Sequence, residues 1–236
     1  MVGKVGRCRI ARHGFILAVG MQKLFSTGLV WFRRDLRVSD HPALSAACSA
    51  CVPVIAVFIK DDIVDGLGAA PKWRLGKALE VFTQTLARLN IPLILREGPA
   101  GDVLDALITE TDAQGVYWSR LYDPACVTRD TVIKADLLSK GLEARSFGGH
   151  LMFEPWTVET KTGGMYKVYT PFWRAVSIRD IERPLPRLKS ITGVEGIRSE
   201  TLADWRLDAE MGPATNALAS QITAGEQAAL DQLDAF

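Results

Sequence analysis

Three arginines and an aspartate, Arg33, Arg34, Asp35 and Arg37, follow directly on the apolar run Leu29–Phe32. A guanidinium is a planar fork of N–H donors, always charged, and it pairs best with carboxylates and phosphates. Two more stretches put polar groups behind apolar runs: Lys60–Asp62 and Ser119–Asp123. If these runs are parallel strands, the three stretches share the carboxyl edge of one sheet, where α/β domains bind ligands. A planar or phosphate-bearing ligand there would meet Arg33, Arg34, Trp118 and Tyr122. Salt bridges that fix the loop would use the same residues, and both readings carry even weight at this point.

Other chemistries find little support. No G-x-G-x-x-G follows the first apolar run, and neither a Walker A motif nor a G-x-S-x-G elbow occurs. Cys48 and Cys51 form a CxxC, but they close a helix, whereas a redox pair opens one, where the thiolate is stabilised. His13, His41 and His150 are isolated, which leaves zinc without a ligand set. Trp156, Tyr166, Tyr169, Phe172 and Trp173 are interleaved with Lys167 and Arg174 and could stack single-stranded bases. With a formal net charge of +1, docking of this segment onto the protein is the stronger reading.

The elements that must position these residues alternate regularly. Strands are expected at Leu29–Arg33, Val52–Ile59, Pro92–Arg96, Gly115–Ser119 and Leu142–Phe147. Helices are expected at Pro42–Ala50 (with Asp40 or His41 near its cap), Lys72–Asn90, Gly101–Thr111 and Thr128–Lys140. Residues Leu75, Leu79, Phe82, Leu86 and Leu89 fall on one face of the second helix, and Val103, Leu104, Leu107 and Ile108 face inward on the third. The stretch holding Asp61, Asp62, Gly66 and Gly68 reads as a loop. This rhythm predicts an α/β fold, a doubly wound, Rossmann-like, five-stranded parallel sheet with right-handed crossovers over residues 28–150.

The rhythm breaks after Gly148. A short helix is expected at Pro171–Asp180, capped by Thr170, and the proline-bearing stretch 183–224 reads as an inter-domain linker within 151–224. Residues 225–236 read as the first helix of an incomplete helical domain, with Leu230, Leu233 and Phe236 on an apolar face. Residues 1–27 stand apart: Lys4, Arg7, Arg9 and Arg12 precede a short apolar stretch, Met21 is the expected true start, and the segment is expected to be disordered or loosely packed. Composition is that of a soluble globular protein, and no apolar run approaches the roughly 18 residues of a membrane span. Cysteine usage fits a reducing cytoplasm.

Five segments in order resemble the DNA photolyase/cryptochrome family: WFRRDLR at Trp31–Arg37, GAAPKWRL at Gly68–Leu75, the stretch Val116–Asp130, MYKVYTPFW at Met165–Trp173, and GEQAALDQLDAF at Gly225–Phe236. The resemblance implies an N-terminal α/β antenna domain holding a light-harvesting chromophore, a reduced folate or a deazaflavin. In that family a helical domain beyond carries the FAD that repairs pyrimidine dimers in damaged DNA. On this reading the chain is the antenna part of a deoxyribodipyrimidine photolyase. It would have no catalytic residue, no light-driven repair and little DNA binding of its own, and a separately encoded helical domain could be its partner. The alternatives are a cryptochrome-like blue-light sensor fragment or a free-standing nucleotide- or chromophore-binding module.

The expected chromophore contacts are Arg33, Arg34, Asp35, Lys60, Arg74, Trp118 and Tyr122, together with positions Ala125 and Cys126. Folate-binding members resemble one another in an Asn-Glu pair that falls here on Ala125 and Cys126. Neither side chain can supply the carboxylate and amide bonds to a pterin, so a deazaflavin, a flavin or an empty pocket is expected instead of folate.

Overall fold

The computed structural model describes residues 27–236. The basic N-terminal stretch and Met21 lie outside the described residues. Five parallel strands, β1 (Gly28–Phe32), β2 (Val54–Lys60), β3 (Leu93–Glu97), β4 (Gly115–Ser119) and β5 (Glu143–Phe147), lie in the order β3-β2-β1-β4-β5. The order reverses between β1 and β4, the switch point of a doubly wound sheet.

Side chains alternate along β1, so each face of the sheet feeds its own core. Val30 and Phe32, with Ala56 and Phe58 of β2, meet helices α1 (Pro42–Ala50) and α3 (Ala69–Ala87). Leu29 and Trp31, with Ile55, Val57 and Ile59, meet α4 (Ala100–Thr111) and α5 (Pro124–Ser139). Leu79, Phe82 and Leu86 are buried on α3 while Leu75 is half-buried, so the apolar stripe faces the core as its spacing implies. Gly28 must lack a side chain, because a Cβ there would lie 2.6 Å from Cys51 Sγ.

Several element ends differ from expectation for identifiable reasons. Helix α5 begins at Pro124, four residues early, because proline at the first helical position has no N–H to leave unpaired. Helix α3 likewise begins at Ala69 and carries Pro71 in its first turn. The stretch expected as a loop contains a short helix, α2 (Asp62–Asp65), capped by Asp61, whose Oδ1 accepts the Val64 N–H at 3.1 Å. Of the two candidates at α1, His41 is the cap: its Nδ1 accepts the Leu44 N–H at 3.1 Å. The post-sheet helix α6 (Tyr169–Val176) starts before Thr170, with no side-chain cap. Pro171 fits its first turn, where backbone N–H groups have no intrahelical partner.

The segment after residue 183 is irregular, as its prolines imply, yet it wraps the sheet. Ile191, Trp205 and Leu207 are buried in the same core as α1 and α3. The Thr192 carbonyl accepts the Val54 N–H at 2.9 Å. Ser199 and Glu200 run along the outer edge of β3: Ser199 Oγ accepts the Leu95 N–H at 3.0 Å, and the Glu200 N–H donates to Leu95 O at 2.9 Å. Trp205 lies 6.0 Å from Phe58 between ring centres and donates its Nε1–H to Glu200 Oε2 at 2.8 Å. Helix α7 (Ala214–Ala219) and helix α8 (Glu226–Asp234) follow.

Replacing Trp205 by alanine removes that anchor. Trp205→Ala is expected to lower unfolding stability by about 3–5 kcal/mol, read by urea denaturation, and to make 183–211 the first site of limited proteolysis. Unchanged resistance of that segment would show that the wrap does not depend on Trp205.

Candidate functional site

The loop after β1 turns charge inward. Arg33 is 7% exposed, and its Nη1 meets Asp130 Oδ2 at 2.6 Å on α5. Its Nη2 donates to the Ser119 carbonyl at the end of β4. Asp130 Oδ1 accepts from Arg129 Nη2 at 2.8 Å and from Arg129 Nε at 3.0 Å. Arg129 Nη1 reaches on to Asp61 Oδ2, behind β2. One chain of alternating charges thus joins the ends of β1, β2 and β4 to the second turn of α5. Arg129 and Asp130 sit together on α5, which starts at Pro124.

A second pair lies below it. Asp35 Oδ1 accepts the Arg33 N–H at 2.9 Å, and Oδ2 stands 2.8 Å from His41 Nε2. His41 Nδ1 already accepts a backbone N–H, so the ring proton of the neutral form sits on Nε2, facing Asp35. Burial alone would push the Asp35 carboxyl up. His41, the Ser119 hydroxyl and the Arg33 N–H together outweigh burial and hold it well below the usual carboxylate range.

Trp31 completes the floor. It is 1% exposed, and the guanidinium carbons of Arg33 and Arg129 each lie 4.7 Å from its ring centre, within cation–π range. Its Nε1–H is buried without a hydrogen-bond partner.

Above this floor lies a cavity of about 820 Å³, within the size range of small-molecule sites. Trp31, Phe58 and Ile59 form its base at the ends of β1 and β2. Ile63, Val64 and Leu67 of the α2 region form one wall, and Leu75 and Ala78 of α3 another. Arg33, Arg34, Arg37 and Arg74 supply cationic edges, and Glu226, Ala229 and Leu230 of α8 lie across the top. Arg34 is paired with Asp123 at 2.8 Å, and Arg74 Nη1 donates to Thr223 O at 3.2 Å.

Of the residues singled out from sequence, Arg33, Arg34, Asp35 and Arg74 line this cavity together, and the other five do not. Lys60 turns away to Asp65 and Glu97, at 2.9 and 2.8 Å. Trp118 is buried in the core, with its ring centre 6.3 Å from that of Trp31. Tyr122 donates to Glu154 Oε2 at 2.9 Å. Ala125 is exposed and Cys126 buried, both on α5. The reason lies in Arg33: its bridge from β1 to Ser119 and Asp130 occupies the switch point, so the open volume sits on the β2 side. Asp61, Arg129 and Glu226 were missed by sequence reasoning. Asp61 lay within the polar stretch Lys60–Asp62 and Arg129 within the segment Val116–Asp130, and the pairing between them is long-range.

Cys51 is the C-cap of α1, buried in the core beside the Tyr117 hydroxyl at 3.5 Å. Burial pushes its thiol up, and pushes that of Cys48 up to about 11. Both are poor thiolates.

The depressed Asp35 carboxyl gives a pH prediction. Its contribution is fully present well above the unfolded value of ~3.9 and is lost as pH falls through that value toward the lower folded one. Asp35→Asn should cost about 3 kcal/mol at neutral pH by stripping a buried pair. The gap between wild type and variant should narrow on acidification, read by urea unfolding from pH 7 to 3. A gap independent of pH would contradict the assigned ionisation.

Comparison with known proteins agrees with this architecture. The family model described as DNA photolyase matches residues 28–189. The chain is 40% identical over 210 residues to a deoxyribodipyrimidine photo-lyase of Agrobacterium fabrum, covering 88% of this chain and 44% of that protein. It superposes on the crystal structure of a class III photolyase from Agrobacterium tumefaciens with a TM-score of 0.85 and 38% identity, covering 92% of this chain and 45% of the other. An archaeal photolyase from Sulfolobus tokodaii, described with two FAD molecules and a novel light-harvesting cofactor, shares the fold at a TM-score of 0.65 and 21% identity, covering 77% of this chain and 41% of that one. The chain therefore spans less than half the length of each relative. Among the described residues no helix is long and apolar enough to cross a membrane. The match over the whole sheet and the segment behind it shows that this chain belongs to the DNA photolyase family.

Proposed function

We propose that the cavity holds the light-harvesting chromophore of a deoxyribodipyrimidine photolyase, and that this chromophore is a planar tricycle, a flavin or deazaflavin, in preference to a folate. The observation that carries this reading is the cavity itself, about 820 Å³ over the carboxyl ends of β1 and β2. Its base is aromatic and aliphatic, which suits a flat ring system. Arg74, with one nitrogen engaged by Thr223 O, would hold an anionic side chain at the edge. Ala125 and Cys126 lie outside this cavity and offer neither the carboxylate nor the amide that a pterin would need at those positions.

The bound chromophore would supply absorption of light. The protein would hold the ring, exclude water from it through Phe58, Ile59 and Val64, and keep the base rigid through the Arg33–Asp130–Arg129–Asp61 chain. Repair of pyrimidine dimers in damaged DNA, with FAD as the catalytic cofactor, would belong to the whole protein, in the cytoplasm.

The test is a fluorescence titration of the purified chain with flavin mononucleotide, riboflavin and a reduced folate. The flavins should bind and the folate should not. Arg74→Ala should weaken flavin mononucleotide about tenfold, the worth of one charge-assisted bond, and riboflavin little. Tight folate binding with no flavin binding would overturn the chromophore assignment.

A further inference from the structure

We infer that Asp130, which does not line the cavity, decides how firmly the cavity grips its ligand, and that it does so as a positioning residue, through Arg129 and Asp61, on helix α2. The inference rests on the cavity being a ligand site, and not on which chromophore fills it.

Helix α2 gives the cavity a wall in Ile63 and Val64, and Leu67 extends that wall just beyond it. No residue of this four-residue helix is buried. A single helical turn is too short to be stable through its own backbone bonds. Its place is therefore set by what its ends are tied to. Lys60 pairs with Asp65 at 2.9 Å, but the Asp65 carboxylate is half exposed, and such surface pairs hold little. The firmer tie is Asp61, whose side chain is buried.

The two oxygens of Asp61 face different partners. Oδ1 accepts the Val64 N–H at 3.1 Å and so caps α2. Oδ2 takes Arg129 Nη1. The cap is thus oriented by the guanidinium behind it. That guanidinium is in turn aimed by Asp130, whose Oδ1 accepts Nη2 at 2.8 Å and Nε at 3.0 Å. Two N–H groups on one oxygen fix the guanidinium plane and leave the third nitrogen for Asp61. Asp130 is itself held from β1, since its Oδ2 meets Arg33 Nη1 at 2.6 Å. A carboxylate on α5 therefore passes the position of β1 to a cavity wall on the β2 side, without facing the cavity.

Hydrogen exchange on the full chain tests the link without any ligand. In Asp130→Ala the bonded amides of α2, those of Val64, Asp65 and Gly66, should exchange about tenfold faster, with Ala56 and Val57 of β2 unchanged. Arg129→Lys keeps the charge but not the fork, and cannot span Asp61 and Asp130 together. It should give a smaller rise at the same amides, which decides the matter should the alanine variant fold poorly. Riboflavin should bind Asp130→Ala about tenfold more weakly than wild type. Asp61→Asn retains a capping oxygen but loses the charge that faces Arg129. Because both residues act by one route, the double variant Asp130→Ala, Asp61→Asn should bind riboflavin no more weakly than Asp130→Ala alone. A general loss of structure at Asp130 would instead add to the effect at Asp61, and full additivity would overturn the inference. Exchange in α2 that ignores both Asp130→Ala and Arg129→Lys would also overturn it, as would a rise of equal size across the whole sheet. Failure of riboflavin to bind the wild type would count against the chromophore reading, and the exchange rates would still decide whether Asp130 sets the wall.

Discussion

Arg33 is the residue on which the upper edge of the sheet depends. Its guanidinium leaves water almost completely, a cost that only well-placed acceptors offset. Asp130 and the Ser119 carbonyl are those acceptors, one on α5 and one on β4. Satisfying Arg33 therefore fixes two elements that are far away in sequence. Asp130 then orients Arg129, and Arg129 orients Asp61, so strand ends that share no turn are held in one register. The network serves specificity of arrangement more than raw stability, since an apolar plug of equal volume could be as stable. What an apolar plug could not do is leave a cationic, rigid base beneath an apolar cavity.

The same bridge explains where the cavity lies. Doubly wound sheets bind ligands where strand order reverses, here between β1 and β4. Arg33 spans that gap, and the cavity opens toward β2 instead. The ion pairs and the binding surface are thus not rival uses of Arg33, Asp35 and Arg129. The outward atoms of a locked network form the wall of the site.

Strand identity and order were legible because a parallel sheet buries both faces and writes nearly continuous apolar runs, as in Val54–Ile59. Helix starts were less legible. Both helices were expected to start after their prolines, Pro124 and Pro71, although a proline in the first turn of a helix costs no hydrogen bond. The site was half legible. Arg33, Arg34 and Asp35 stand in one short motif, and local sequence marks them as polar groups at a strand end. Whether Trp118 or Phe58 faces the cavity depends on which side of β1 stays open, and that is set by a contact spanning 97 residues, from Arg33 to Asp130. The wrap at 183–211 was invisible for a related reason. Its Ile191, Trp205 and Leu207 are spaced without helix or strand period, so only the finished sheet shows what they cover.

The run of Ser199 and Glu200 along β3 leaves the sheet with two unlike margins. On one side a covering segment takes up the free backbone groups of Leu95 and Glu97, so no foreign strand can add there without first peeling that segment away. The other margin, β5, has no such cover among the described residues, and its protection is chemical: Glu143, Arg145 and Ser146 put charge and polarity into a five-residue strand. Short, charged margins discourage edge-to-edge growth into fibrils. Crowded solutions of this protein would therefore be guarded against amyloid-like stacking by a physical shield at one end of the sheet and an electrostatic one at the other.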